Sequence, residues 1–114
     1  MLAIESDSGA YQPLGLSFNG SDKAMPMIRQ FARALQPLGA DKITIGAEEA
    51  DVGELRPDGV PTMSLMTDAP RYFWFHHTDA DTMDKLNPRE VAACAATMAV
   101  MAYEVADAPG EWPR

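Results

Sequence analysis

The residues from Phe75 to Thr82 read FHHTDADT and set both histidines of the chain, His76 and His77, beside Thr78, Asp79, Asp81 and Thr82. Imidazole and carboxylate are donors that zinc takes, and a catalytic zinc commonly uses three of them while leaving one position for water. His77 could ligate through one ring nitrogen while a nearby carboxylate orients the ring through the other. A catalytic base with its orienting acid calls for the same residue types. So does a polar turn, because Asp and Thr ahead of a helix accept from open backbone N–H groups. On this segment alone all three readings stand.

Other candidate groups are few. Asp7 sits in Ser6-Asp7-Ser8-Gly9, directly after the apolar Leu2-Ala3-Ile4. Such a stretch makes a good turn. It also puts a carboxylate at the carboxyl end of a strand, where open α/β sheets place their ligands. Ser8 has no G-x-S-x-G elbow around it, which argues against a serine hydrolase. Glu48-Glu49 looks like a catalytic carboxylate pair but reads more simply as the solvated entry to a helix. Cys94, the single cysteine, leaves no internal disulfide or thiolate cluster to build. In its alanine-rich run it reads as a small buried hydrophobe.

The bulk properties narrow the class. A chain of 114 residues makes one domain at most, 1–114, with a modest core. Seventeen acids against nine bases give a net charge of −8. Phosphate backbones and anionic membranes need clustered Lys and Arg, so nucleic acid and membrane surfaces are poor partners, whereas cations are compatible ones. The start shows no signal peptide. The longest apolar run, Val91 to Tyr103, has 13 residues, too few to span a bilayer. The chain is expected to be soluble.

The elements that must position these groups follow from pattern. Leu2-Ala3-Ile4, Lys42-Ile43-Thr44-Ile45 and Val60–Met66 read as short strands, and Tyr72–Phe75 as a fourth strand or an extended segment. Tyr11 to Gly20, with Pro13, Gly15 and Gly20, reads as loop. Ala24, Met27, Ile28, Phe31, Ala32 and Leu35 have the spacing of an amphipathic helix. Its start is open between Ser21 as cap and Pro26 in the first turn. Asp51 could cap a brief helix. Asn87-Pro88 opens a last helix to about Asp107, which carries no charge from Val91 to Ala102. A helix apolar on nearly every side wants cover on both sides. Strands alternating with helices predict an α/β fold: a partial three-layer αβα sandwich with a short, largely parallel sheet of three to four strands. Such a helix demands more cover than this sheet supplies, so association or membership in a larger domain is expected.

With these residues laid out, the chain resembles the carboxyl-terminal part of the co-catalytic di-zinc exopeptidases, the family of the leucyl aminopeptidases and plasma glutamate carboxypeptidase. The carriers are ESDSG at 5–9, PLGLSFNGS at 13–21, LQPLGADKI at 35–43, DGVPTMSLM at 58–66 and YFWFHHTDADTMDKLNP at 72–88. Their order and intervals fit the glutamate carboxypeptidase branch over essentially the whole chain. The resemblance implies two zinc ions, with Asp7 ligating one and His77 the other, and peptide as substrate. It implies that Asp81 caps or supports a ligand, that Asp51 borders the substrate pocket, and that Tyr72, Phe73 and His76 line or support it. Relatives are commonly exported, while the localisation of this chain stays open.

The family's remaining ligands and its general-base glutamate all precede the Glu-Ser-Asp motif, and here four residues precede Glu5. Glu48-Glu49 follows that motif and cannot stand in, and GAEEAD departs from the glycine-rich pattern of its loop. Metals of such a pair stand roughly 3.5–4 Å apart with bonds of about 2 Å. Asp7 and His77 could then lie roughly 8 Å apart, too far for one zinc to satisfy both easily. The isolated chain is therefore expected to hydrolyse nothing. Two alternatives are a non-catalytic module that self-associates or binds an amino-terminal partner, and a homo-oligomer that brings two copies of Asp7 and His77 into a new metal site.

Overall fold

Side chains that alternate between core and surface build the sheet. In the computed structural model, which describes residues 1–46, 50–68, 70–110 and 112–113, the strands are β1 (Ala3–Glu5), β2 (Pro13–Asn19), β3 (Lys42–Ile45) and β4 (Thr62–Thr67). They pair in the order β1-β4-β2-β3. β1 runs parallel to β4 and β2 parallel to β3, while the central pair β2 and β4 is antiparallel. The register sets Leu16 against Leu65, and Phe18 and Ile4 against Met63, so these residues share one face. Ser17, Ser64 and Glu5 share the other. On that second face the Ser17 hydroxyl donates to the Ser64 carbonyl at 3.2 Å.

The apolar face is covered by α1 (Met25–Ala32) and α3 (Pro88–Asp107). Leu16, Phe18, Ile28, Leu35, Met63 and Met101 form the buried core between them. Burying a side chain of this size stabilises by about 1.5–3 kcal/mol. Both proposed starts near α1 are used: the Ser21 hydroxyl caps the 3₁₀ turn Asp22–Ala24, and Pro26 occupies the first turn of α1. The Asn87 side chain accepts from the Arg89 N–H at 2.9 Å and starts α3, with Pro88 at its first position. Cys94 is buried, its thiol donating to the Tyr11 carbonyl at 3.0 Å.

Two local expectations are corrected. Residues 13–19 are not loop but β2, which pairs on both sides. The breakers there have strand uses: Pro13 takes the first position, where no ladder donor is missed, and a register shift between Pro13 and Gly15 absorbs Leu14. Tyr72–Phe75 is neither a strand nor extended but a single helical turn, α2. Its aromatics look like strand formers, yet Phe73 and Trp74 are 78% and 67% exposed, so this segment has no sheet to join. The shortage of cover expected for the last helix is seen in α3, which among the described residues is covered on one side. Cys94, Thr97 and Met101 are buried, whereas Val91, Ala95, Ala99 and Ala102 are exposed.

The described chain thus supplies the sheet and one helical layer of the predicted sandwich, with the 3₁₀ segment Val52–Asp58 packed against β1 and β4. Among the described residues no helix is long and apolar enough to cross a membrane. Glu48-Glu49 lies outside the described residues.

Candidate functional site

The carboxyl end of β1 and the segment after α2 meet at one cleft. It has a volume of about 490 Å³, and Asp7, Tyr72, His76, His77 and Asp81 all line it. A larger recess of about 590 Å³ around Asn19, Arg56 and Trp112 shares none of these residues. The chemistry, not the size, singles out the smaller cleft.

Asp7 is presented by a tight turn in which the Gly9 N–H donates to the Asp7 carbonyl at 2.9 Å. The Thr67 hydroxyl at the end of β4 pins the same turn by donating to the Ser8 carbonyl at 3.2 Å. Gly9 has φ +72°, and a Cβ there would stand 2.9 Å from the Tyr11 ring and 3.2 Å from that of Tyr72. Glycine therefore lets both tyrosines close on the Asp7 turn. α2 is fixed from the other side. Arg71 reaches both carboxylate oxygens of Glu90 on α3, at 3.1 and 3.3 Å, and lies over the Tyr11 ring at 5.0 Å.

The histidines leave α2 in an unusual way. His77 has φ +55°, the one left-handed non-glycine residue among those described. A residue with a Cβ in this region costs about 1–2 kcal/mol, and such residues cluster at functional sites. Its ring stacks on His76 with centroids 3.7 Å apart, and His76 in turn lies 4.5 Å from Tyr72. Tyr72, His76 and His77 form one continuous stack on the cleft wall. The turn that follows is held by Thr78, whose hydroxyl donates to the Phe75 carbonyl at 2.7 Å and accepts from the Ala80 N–H at 3.3 Å. The Thr82 hydroxyl is the donor toward both the Asp84 carboxylate and the Ala80 carbonyl. In FHHTDADT, then, the threonines build the turn and the histidines face the cleft.

Tyr72 connects this wall to the carboxylates. Burial pushes its phenol above the ordinary tyrosine value, and the charges of Asp7 and Asp81 push it further in the same direction, with Tyr11 adding to them. The phenol therefore stays a hydrogen-bond donor across the neutral range. Asp51 is not brought to the cleft. It is exposed at the start of the 3₁₀ segment Val52–Asp58, its side chain makes no capping bond, and only its neighbour Ala50 lines the site.

The capping role expected of Asp51 belongs to Glu5, which sequence reasoning did not single out. The Glu5 carboxylate accepts from the N–H groups of Ala50, Asp51 and Val52 at 2.6, 2.9 and 2.9 Å. The available signal was its place in the Glu-Ser-Asp motif, on the polar face of β1. Burial raises its pKa, but the three N–H donors outweigh that and hold it below the ordinary glutamate value. A lowered folded pKa means the carboxylate stabilises the fold fully above about pH 4.3, the unfolded value, and loses that contribution as pH falls through the folded one. Glu5→Gln turns an amide nitrogen toward a backbone donor. It should cost about 1–2 kcal/mol at pH 7 after solvent screening is allowed for, and less as the pH drops. Urea titrations of both proteins at pH 7 and pH 3 check this; an equal gap at both pH values contradicts it.

Asp7 and His77 supply a carboxylate and an imidazole, both of which zinc accepts. They fit part of a metal coordination sphere. Among the described residues no three His, Cys, Asp or Glu side chains converge to hold an ion.

Comparison with known proteins agrees with this fold and order of elements. Residues 2–102 match peptidase family M28. Carboxypeptidase Q of Rattus norvegicus is 42% identical over 113 residues and that of Homo sapiens 39%, in each case covering 99% of this chain and 24% of the relative. The crystal structure of a peptidase M28 precursor from Shewanella amazonensis superimposes with a TM-score of 0.84 at 33% identity, covering 99% of this chain and 26% of that one. The chain spans about a quarter of the length of these relatives. By sequence over residues 2–102 and by fold over nearly its whole length, the chain belongs to peptidase family M28.

Proposed function

We propose that residues 1–114 are the carboxyl-terminal portion of a zinc-dependent exopeptidase catalytic domain that acts on peptides, with Asp7 ligating one ion of a zinc pair and His77 the other. The observation that carries this reading is the cleft itself: residues 70 positions apart in sequence, Asp7 and His77, line it together with Tyr72 and Asp81. Zinc, when bound, supplies Lewis-acid polarisation of the scissile carbonyl and an ionised water. The chain's own residues do the rest of what it contributes. Asp7 and His77 fix where the ions sit. His76, stacked on His77, limits rotation of that ring. Tyr72 offers a protonated phenol and a flat wall against which a peptide can lie, and Phe73 stands exposed at its rim.

Among the described residues two ligands leave both ions under-coordinated, so in this reading the other donors and the general base come from polypeptide beyond these 114 residues. The test is a chimera joining this chain to the part of the Shewanella peptidase that it does not match. With zinc and aminoacyl or dipeptide substrates, the chimera is expected to turn over and the chain alone to show none. Turnover by the chain alone that disappears in His77→Ala contradicts the reading.

A further inference from the structure

Arg71 joins three parts of the molecule. It directly precedes α2, so its backbone belongs to the segment that carries His77. Its guanidinium lies over the Tyr11 ring, 5.0 Å from the centroid, and that ring closes on Gly9 in the Asp7 turn. One side chain thus links the segment presenting His77 to the turn presenting Asp7. α3 holds this link at two places one helical turn apart. Glu90 accepts from the guanidinium at 3.1 and 3.3 Å, and the Cys94 thiol donates to the Tyr11 carbonyl at 3.0 Å. Residues four apart lie on one face of a helix, so both partners of the contact are fixed to the same face of α3.

We propose that Arg71 is a positioning residue for the metal centre, setting the separation of Asp7 and His77 by holding the His77 segment against Tyr11; this rests on the functional reading above. Three features select positioning over bulk stability. The Arg71 side chain is 45% exposed, and an ion pair so solvated contributes little to the stability of the whole fold. A planar guanidinium can bond Glu90 through its edge while its face covers Tyr11, a double contact that a lysine ammonium does not reproduce. Tyr72 follows Arg71 in sequence and begins the stack through His76 to His77, so a displacement at Arg71 passes along the stack to the ligating ring. A metal pair tolerates little play, because its ions stand roughly 3.5–4 Å apart. Groups that orient ligands from behind are worth about 10–100-fold in metal affinity or activity.

The test separates local geometry from stability and from zinc. In the chain alone, kept in EDTA, the ring-proton resonances of His76 and His77 and the nuclear Overhauser contact between Tyr72 and Gly9 report the cleft without metal or turnover. In Arg71→Met the ring signals should move toward those of free histidine and the Tyr72–Gly9 contact should vanish, while the urea midpoint changes little. Arg71→Lys keeps a charge for Glu90 but loses the planar face, so its displacement should be intermediate. In the chimera, zinc affinity should fall about 10–100-fold in Arg71→Met and less in Arg71→Lys. Unmoved ring signals in Arg71→Met overturn the proposal, whether or not the midpoint falls, since that is the mark of a purely structural role. An unchanged zinc affinity, in a chimera that binds zinc with Arg71 in place, overturns it as well. Displaced ring signals beside a chimera that holds no zinc even with Arg71 in place support the positioning role and remove the functional reading instead.

Discussion

His77→Gly in the chimera is expected to abolish turnover while leaving the fold as stable as before or slightly more so. The loss should exceed the roughly 10–100-fold that follows removal of a group merely supporting a metal ligand. The reason lies in the backbone. At φ +55° a side-chain-bearing residue carries about 1–2 kcal/mol of left-handed strain that glycine does not, partly offset by the greater freedom glycine has when unfolded. His77→Ala keeps the strain and loses the ring, so it should be the less stable of the two variants and equally inactive. Steady-state rates with thermal melts on both variants make the check. A glycine variant that keeps at least a tenth of the activity would show that the strained conformation serves the turn and not the imidazole.

Gly15→Ala is expected to be the most destabilising single-methyl change in the molecule, costing upwards of roughly 4 kcal/mol. A Cβ at Gly15 would lie 1.9 Å from the Lys42 carbonyl oxygen and 2.7 Å from its carbon, and φ is +150°. The obstructing atoms are backbone, so relief means parting β2 from β3. β2 also pairs with β4 and carries Leu16 and Phe18 into the core, so the damage reaches the centre of the domain. Urea unfolding followed by circular dichroism reads the effect. An unchanged midpoint would contradict the close approach of these two strands.

Much of the fold was legible from local pattern, and the misses have physical causes. The helix at Met25–Ala32, the Asn87 cap and the strands at residues 3, 42 and 62 announce themselves by periodicity and capping chemistry. β2 was hidden because Pro13 and Gly15 are breakers in general. Here one starts a strand and the other permits contact with a neighbour that sequence alone does not display. Tyr72–Phe75 misled in the opposite sense. Aromatic propensity favours strands because strands usually have a sheet to pack on, whereas this segment is held as a turn by Arg71, Tyr11 and Glu90.

At the site, the motif resemblance pointed to Asp7, His76, His77, Tyr72 and Asp81, and one cleft gathers them. The role of Glu5 was not readable. It depends on three N–H groups about 45 residues away whose convergence only the tertiary fold creates. Asp51 was singled out for its side chain, yet what it gives that anchor is its backbone N–H.

The central claim is that Asp7 and His77 are two ligands of a metal centre completed from outside this chain, and counting zinc tests it most directly. After equilibrium dialysis against micromolar zinc and elemental analysis, the isolated monomer should retain no tightly held ion. The chimera should retain two per molecule, falling in both Asp7→Asn and His77→Gly. One zinc held stoichiometrically by the monomer and lost on Asp7→Asn would contradict the claim.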